Sequence, residues 1–135
     1  MLQPVVIDGI RTPIGKLNGA MKDIQPEEIA AFLLQKICER SHLDIRLLDA
    51  VILGQAKQSS DQPNIARLAA LMTKFPLEVQ AYTVHRQCGS GMQAVQNAAQ
   101  EIMCGYADFV LAGGVESMSL SLIHISEPTR PISIS

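Results

Sequence analysis

Val79-Gln80-Ala81-Tyr82-Thr83-Val84-His85-Arg86-Gln87-Cys88-Gly89-Ser90-Gly91-Met92-Gln93-Ala94-Val95 is the stretch that decides the fold. Val79 to Val84 reads as a strand. A helical pattern follows at once, with Met92, Val95, Ala99, Ile102 and Met103 on one stripe. Cys88 therefore sits at the hinge between a strand and a helix. Gly89 and Gly91 let the backbone turn sharply and approach a ligand closely. A helix N-terminus carries free N–H groups and partial positive charge. That setting favours a thiolate over a thiol, so Cys88 is the candidate nucleophile.

The same residues carry a rival reading. Gly89-Ser90-Gly91-Met92-Gln93-Ala94 matches G-x-G-x-x-G/A at a strand-to-helix turn, where a phosphate can rest on the helix N-terminus. A dinucleotide site also wants an acid about 20 residues on, at the end of the next strand. Asp108 has the distance but begins its strand, and Glu116 follows the strand but lies far along. On spacing alone, nucleophile and phosphate cradle both stand. A Walker loop does not: five residues separate Gly9 from Gly15, where four are required, and Leu17 replaces the hydroxyl residue.

Outward from this hinge, strands alternate with helices. Val5 to Asp8 is a predicted strand, followed by a loop from Gly9 to Gly19. Pro26-Glu27-Glu28 opens a helix that runs to about Arg40, with Ile29, Phe32, Leu33 and Ile37 as its packed face. Ala50 to Gly54 is apolar throughout, as a strand buried on both faces would be. Ser60 or Asp61 is positioned to cap a helix carrying Ile65, Leu68, Ala69 and Met72. Ala107 to Ala112 is the fourth strand and Gly113-Gly114 its turn. The order βαβαβαβ predicts an α/β fold with a parallel or mixed sheet and flanking helices. Ligands in such sheets bind beyond the carboxyl ends of the strands, where both the Cys88 turn and Gly113-Gly114 fall. That makes Gly113 to Met118 a candidate pocket wall.

Composition excludes several classes. The net charge is −2 over 135 residues, with no basic cluster longer than two, so no nucleic-acid footprint is expected. No apolar run approaches the roughly 20 residues of a membrane span. The first strand begins with no basic n-region or cleavage site, so no secretion signal is expected. Three cysteines without a CxxC pair argue for a reducing compartment and a cytoplasmic protein. Charged residues make up only 18%, against about 25% in ordinary domains. Such a chain is expected to bury surface against further protein or a partner subunit.

Other residues have plainer readings. Cys38 and Cys104 read as packing residues. His42 reads as a solvated partner near a helix end. His85 as a base for Cys88 conflicts with strand geometry, because an odd separation points two side chains to opposite faces. Arg11 reads as a surface ion-pair partner. No His, Cys and Asp cluster has metal spacing. After Ser119 the periodicity ends. Residues 120–135, including His124, are rich in Ser and Ile, and two prolines block a long element, so this tail reads as foreign to the domain at 1–119.

Five ordered segments resemble the thiolase family, the acetyl-CoA C-acetyltransferases and acyltransferases. They are Val5 to Lys16, Val51 to Gly54, Asn64 to Ala70, Arg86 to Val95 and Ala112 to Ser119. The resemblance implies a thiolase-like N-terminal half, present as about the first third of a full member. It implies Claisen condensation or thiolysis of acyl-CoA through an acyl-cysteine on Cys88, within fatty-acid metabolism. The backbone N–H of Cys88 would then serve an oxyanion hole, and Gly89-Ser90-Gly91 would belong to the turn rather than to a nucleotide. Implied partners are acyl-CoA or coenzyme A as substrates and further copies of the chain, as dimer or tetramer. No cofactor or metal is implied. Where the family carries Asn three residues before the nucleophile, this chain carries His85. The family's later motifs supply an activating histidine, a second cysteine as acid and base, and a histidine for another oxyanion hole. They have no counterpart here, so the chain alone is expected to be inactive.

Overall fold

The computed structural model describes residues 1–120; the sequence from 121 on, with His124 and nearly all of the tail, lies outside them. Elements run in the order α1 (Pro26–Ser41), a 3-10 turn (Ile45–Leu47), β1 (Ala50–Gly54), α2 (Ile65–Leu71), β2 (Gln80–Val84), α3 (Ser90–Met103) and β3 (Val110–Gly114). The three strands form one parallel sheet in the order β2-β1-β3. Central β1 is buried at all five positions, which accounts for its unbroken apolar sequence. Its side chains alternate between two layers. Val51 and Leu53 pack with Ala30, Leu34, Ile65, Ala66 and Ala69 of α1 and α2. Ile52 packs with Ala94 and Ala98 of α3. Val51, Ile52 and Ile65 are fully buried, each contributing about 1.5–3 kcal/mol of hydrophobic stabilisation.

Small residues rather than large ones set the helix faces. Past the first turn, where Pro26 and Glu27 are buried, the buried positions of α1 are Ala30, Ala31, Leu34 and Cys38, while Phe32 is exposed with the Lys36 ammonium 5.8 Å from its ring centre. The predicted α3 stripe is likewise turned away from the sheet: Ala94 and Ala98 are buried, and Met92 and Val95 are exposed. Alanines win these positions because they let each helix lie close to its neighbour. Several larger apolar side chains, Phe32, Met92 and Val95 among them, are left outward.

Three expectations need correction. Val5 to Asp8 is not a strand, although the segment is apolar and Val6 is 86% exposed. A strand needs a paired edge. Val5 to Asp8 pair with neither edge of the sheet; Val5 and Ile7 instead line a 340 Å³ cavity together with Val110 and Leu111 of β3. Asp8 is tied instead to Arg40 of α1 at 3.0 Å. The last strand begins at Val110, not Ala107, and takes Gly113 and Gly114 into the ladder opposite Leu53 and Gly54. Asn64, not Ser60 or Asp61, caps α2: its side-chain oxygen accepts the Arg67 N–H at 3.1 Å.

Candidate active site

β2 ends at Val84 and α3 begins at Ser90, so five residues make the turn that carries Cys88. The reversal is made at Gln87, which takes a left-handed φ of +48°. Gly89 is the N-cap, with φ −87° and ψ 2°, so the sharp bend is not supplied by the glycines as the sequence suggests. The Gly89 N–H donates to the Arg86 carbonyl at 3.0 Å and the Ser90 N–H to the Gln87 carbonyl at 3.1 Å. Cys88 is exposed and its thiol is free. Among the described residues, nothing accepts a hydrogen bond from its backbone N–H.

The turn rests on β1. A Cβ at Gly54 would fall 2.2 Å from the Ser90 carbonyl carbon and 2.5 Å from the Gly91 nitrogen. Only hydrogen fits there, so the first turn of α3 lies directly on the strand's carboxyl end. Gly114 meets Gly91 the same way, its absent Cβ being 3.2 Å from the Gly91 Cα. The strand ends are cross-tied by Gln55 N–H to the Val84 carbonyl at 3.2 Å and Val115 N–H to the Gly54 carbonyl at 3.1 Å.

A polar ladder holds the outer side of α3 to β2. The Arg86 guanidinium donates to Gln93, Gln93 donates to Asn97 at 2.7 Å, and the Tyr82 hydroxyl donates to Glu101 at 2.7 Å. Gln93, Asn97 and Glu101 recur every fourth residue, which puts them on one helix face. Burial, reinforced by the Glu101 carboxylate, pushes the Tyr82 phenol above its usual range and keeps it a donor.

The remaining candidates are dispersed. Asp108 stands at the amino end of β3, the opposite end of the sheet from Cys88, where its N–H donates to Asp49 at 2.7 Å. The Glu116 carboxylate is engaged: it accepts the N–H groups of Ala56 at 2.9 Å and Lys57 at 3.3 Å. Neither acid is placed to hold a ribose beside the Gly89 turn. Gly113 to Met118 do line a 430 Å³ cavity, together with Met21, Leu33 and Ile37, but Cys88 is not among its walls. His85 is exposed, and His42 is the exposed C-cap of α1, with φ +53°. Arg11 is exposed and has no ion-pair partner among the described residues, contrary to expectation. Cys38 is buried in the core as expected, and burial with the nearby Glu39 raises its pKa. Cys104 is not a packing residue; it is the exposed C-cap of α3.

Sequence reasoning missed the supports of the turn: Gly54, Gln87 and the ladder on α3. Only the ladder left a signal, in its four-residue spacing. The carboxyl ends of β1 and β2 bring Gly54, Ser90 and Cys88 together, and no residue pattern on either side of the turn announces that contact.

Comparison with known proteins gives the family. The model for the thiolase N-terminal domain matches residues 4–133. The chain is 43% identical over 121 residues to the 3-oxoadipyl-CoA/3-oxo-5,6-dehydrosuberyl-CoA thiolase of Escherichia coli K12, covering 88% of this chain and 30% of that protein. It is 40% identical over 135 residues to a beta-ketoadipyl-CoA thiolase of Escherichia coli, covering 98% of this chain and 34% of the relative. The chain thus spans about a third of the length of these relatives. The crystal structure of the Bacillus anthracis acetyl-CoA acetyltransferase superposes with a TM-score of 0.77 at 46% identity, over 80% of this chain and 27% of that one. The phosphate-cradle reading finds no support among them. A domain match over nearly the whole chain, joined to the same fold at that identity, shows that this chain belongs to the thiolase family.

Proposed function

We propose that the chain carries the nucleophile of a thiolase-type acyltransferase and that Cys88 is that nucleophile. The observation that carries this reading is an exposed thiol, with an unengaged backbone N–H, at the mouth of α3 in a chain of this family. The Cys88 sulfur attacks the carbonyl carbon of an acyl-CoA thioester. A new carbon–sulfur bond forms, the bond to the coenzyme A sulfur breaks, and coenzyme A leaves as a thiol with the proton. While the carbonyl oxygen bears negative charge, the Cys88 N–H is free to donate to it; oxyanion donors of this kind are worth about 2.7–4 kcal/mol where they have been removed. The acyl group then passes to coenzyme A in the degradative direction, or to the α-carbon of a second acetyl-CoA in the synthetic one.

Turnover needs a base and an acid. Among the described residues, no histidine or carboxylate is hydrogen-bonded to Cys88. The 135-residue chain by itself is therefore expected to accept an acyl group without turning over. Outward-facing Phe32, Met92 and Val95 support assembly with further protein, including other copies of the chain. Three free thiols support a cytoplasmic setting, and no helix among the described residues is long and apolar enough to cross a membrane.

Iodoacetamide labelling tests the assignment of the nucleophile. Cys88 should alkylate several times faster than Cys104, which is also exposed, and acyl-CoA should protect Cys88 alone. Equal rates at the two thiols, with saturable NAD binding unaffected by alkylation, would overturn the reading in favour of a phosphate cradle.

A further inference from the structure

We propose that Ser90 is a positioning residue that aims the Cys88 N–H, an inference that rests on the reading of Cys88 given above. Ser90 is 3% exposed, the most deeply buried polar side chain among the described residues. Its hydroxyl donates to the Gln87 carbonyl at 2.6 Å and accepts the Arg86 N–H at 2.8 Å. The Gln87 oxygen also accepts the Ser90 N–H, so it is held twice from the same residue. That oxygen and the Cys88 N–H belong to one planar peptide and point in opposite directions. Fixing the oxygen on Ser90 therefore fixes where the Cys88 N–H points, which is away from Ser90, on a residue that is itself exposed to an arriving thioester.

Gln87 makes the support necessary. Residues with side chains hold a left-handed φ only where their surroundings over-determine it. Freed from Ser90, the 87–88 peptide can rotate and take the donor with it. The Ser90 backbone is in turn seated on Gly54 with no room to shift. The hydroxyl thus links the strand end at Gly54 to the Cys88 N–H, which has no acceptor among the described residues.

Two reactions at the same sulfur separate positioning from simple folding. Thioester attack builds charge on an oxygen and needs the N–H, whereas alkylation by iodoacetamide does not. In the 135-residue chain, Ser90→Ala should slow acylation of Cys88 by acetyl-CoA at least about tenfold, part of the effect of deleting a donor outright. Alkylation of Cys88 should stay within about twofold, and Ser90→Thr, which keeps the hydroxyl, should restore acylation. Equal acylation in S90A and the parent, or an equal fall in both reactions, overturns the role of Ser90. A parent chain that never acylates at Cys88 overturns the nucleophile reading itself. Should S90A melt out, the parent decides: the Cys88 amide should show a rigid order parameter of about 0.85, and a value below about 0.6 refutes the proposal.

Discussion

Gly54→Ala should displace Cys88, the proposed nucleophile, from a distance, without touching it. The new methyl would stand 2.2 Å from the Ser90 carbonyl carbon and 2.3 Å from its oxygen, both backbone atoms that no rotamer change can move. Ordinary contact begins near 3.4 Å, so strand and helix must part by about 1.2 Å. Overpacking of this kind costs about 1–3 kcal/mol, and the rigid partners here put the change at the upper end, about 3 kcal/mol. The displacement falls on the first turn of α3, the element that orients Cys88. A misplacement of about 1 Å at a reacting group is worth about a hundredfold in rate. Urea denaturation of G54A should thus show a lowered midpoint with an unchanged slope. Acylation of Cys88 should fall by more than tenfold, while alkylation of Cys104, at the far end of α3, stays constant. A variant with parental midpoint and parental Cys88 reactivity would refute the claim that the turn is seated on β1.

Two further predictions concern the scaffold. Asn64→Ala removes the α2 cap and also the partners of Thr83 and the Ala81 carbonyl, so stability should drop by about 2 kcal/mol; a loss below about 0.5 kcal/mol in urea denaturation would contradict this. Hydrogen bonds from Arg46 hold the Asp44 carboxyl down at about 2, below its ordinary 3.8. A depressed carboxyl stabilises the fold above its ordinary value and loses that contribution as pH falls through the folded one. The urea midpoint should therefore slope downward from pH near 3.8 toward 2, and Asp44→Asn should flatten the contribution of the 45–47 turn; an identical slope in D44N would be the contrary result.

The alternation of elements was readable from the chain, because burial on both faces leaves a plain mark: Ala50 to Gly54 is apolar at every position and is the central strand. The extents of α1 and α3 were readable too, since Pro26 and Gly105 punctuate them, whereas the start of α2 was not. The faces were not. Hydrophobic periodicity weights Phe32, Met92 and Val95 most heavily, yet close helix–sheet approach selects the alanines beside them. Val5 to Asp8 was misread because strand propensity is a local property, while pairing depends on an edge supplied from elsewhere. At the site, the position of Cys88 followed from local pattern. What holds it did not, because Gly54 lies 34 residues away in sequence and Gln87 has no residue type that advertises a left-handed backbone.

As the proposed nucleophile, Cys88 should take an acyl group from a thioester. Isotopically labelled acetyl-CoA, incubated with the 135-residue chain and followed by peptide mapping, tests it most directly. One label should appear on Cys88, none on the buried Cys38 or the exposed Cys104, and excess coenzyme A should remove it. A label shared between Cys88 and Cys104, or found anywhere else with Cys88 unmodified, would rule out Cys88 as the nucleophile.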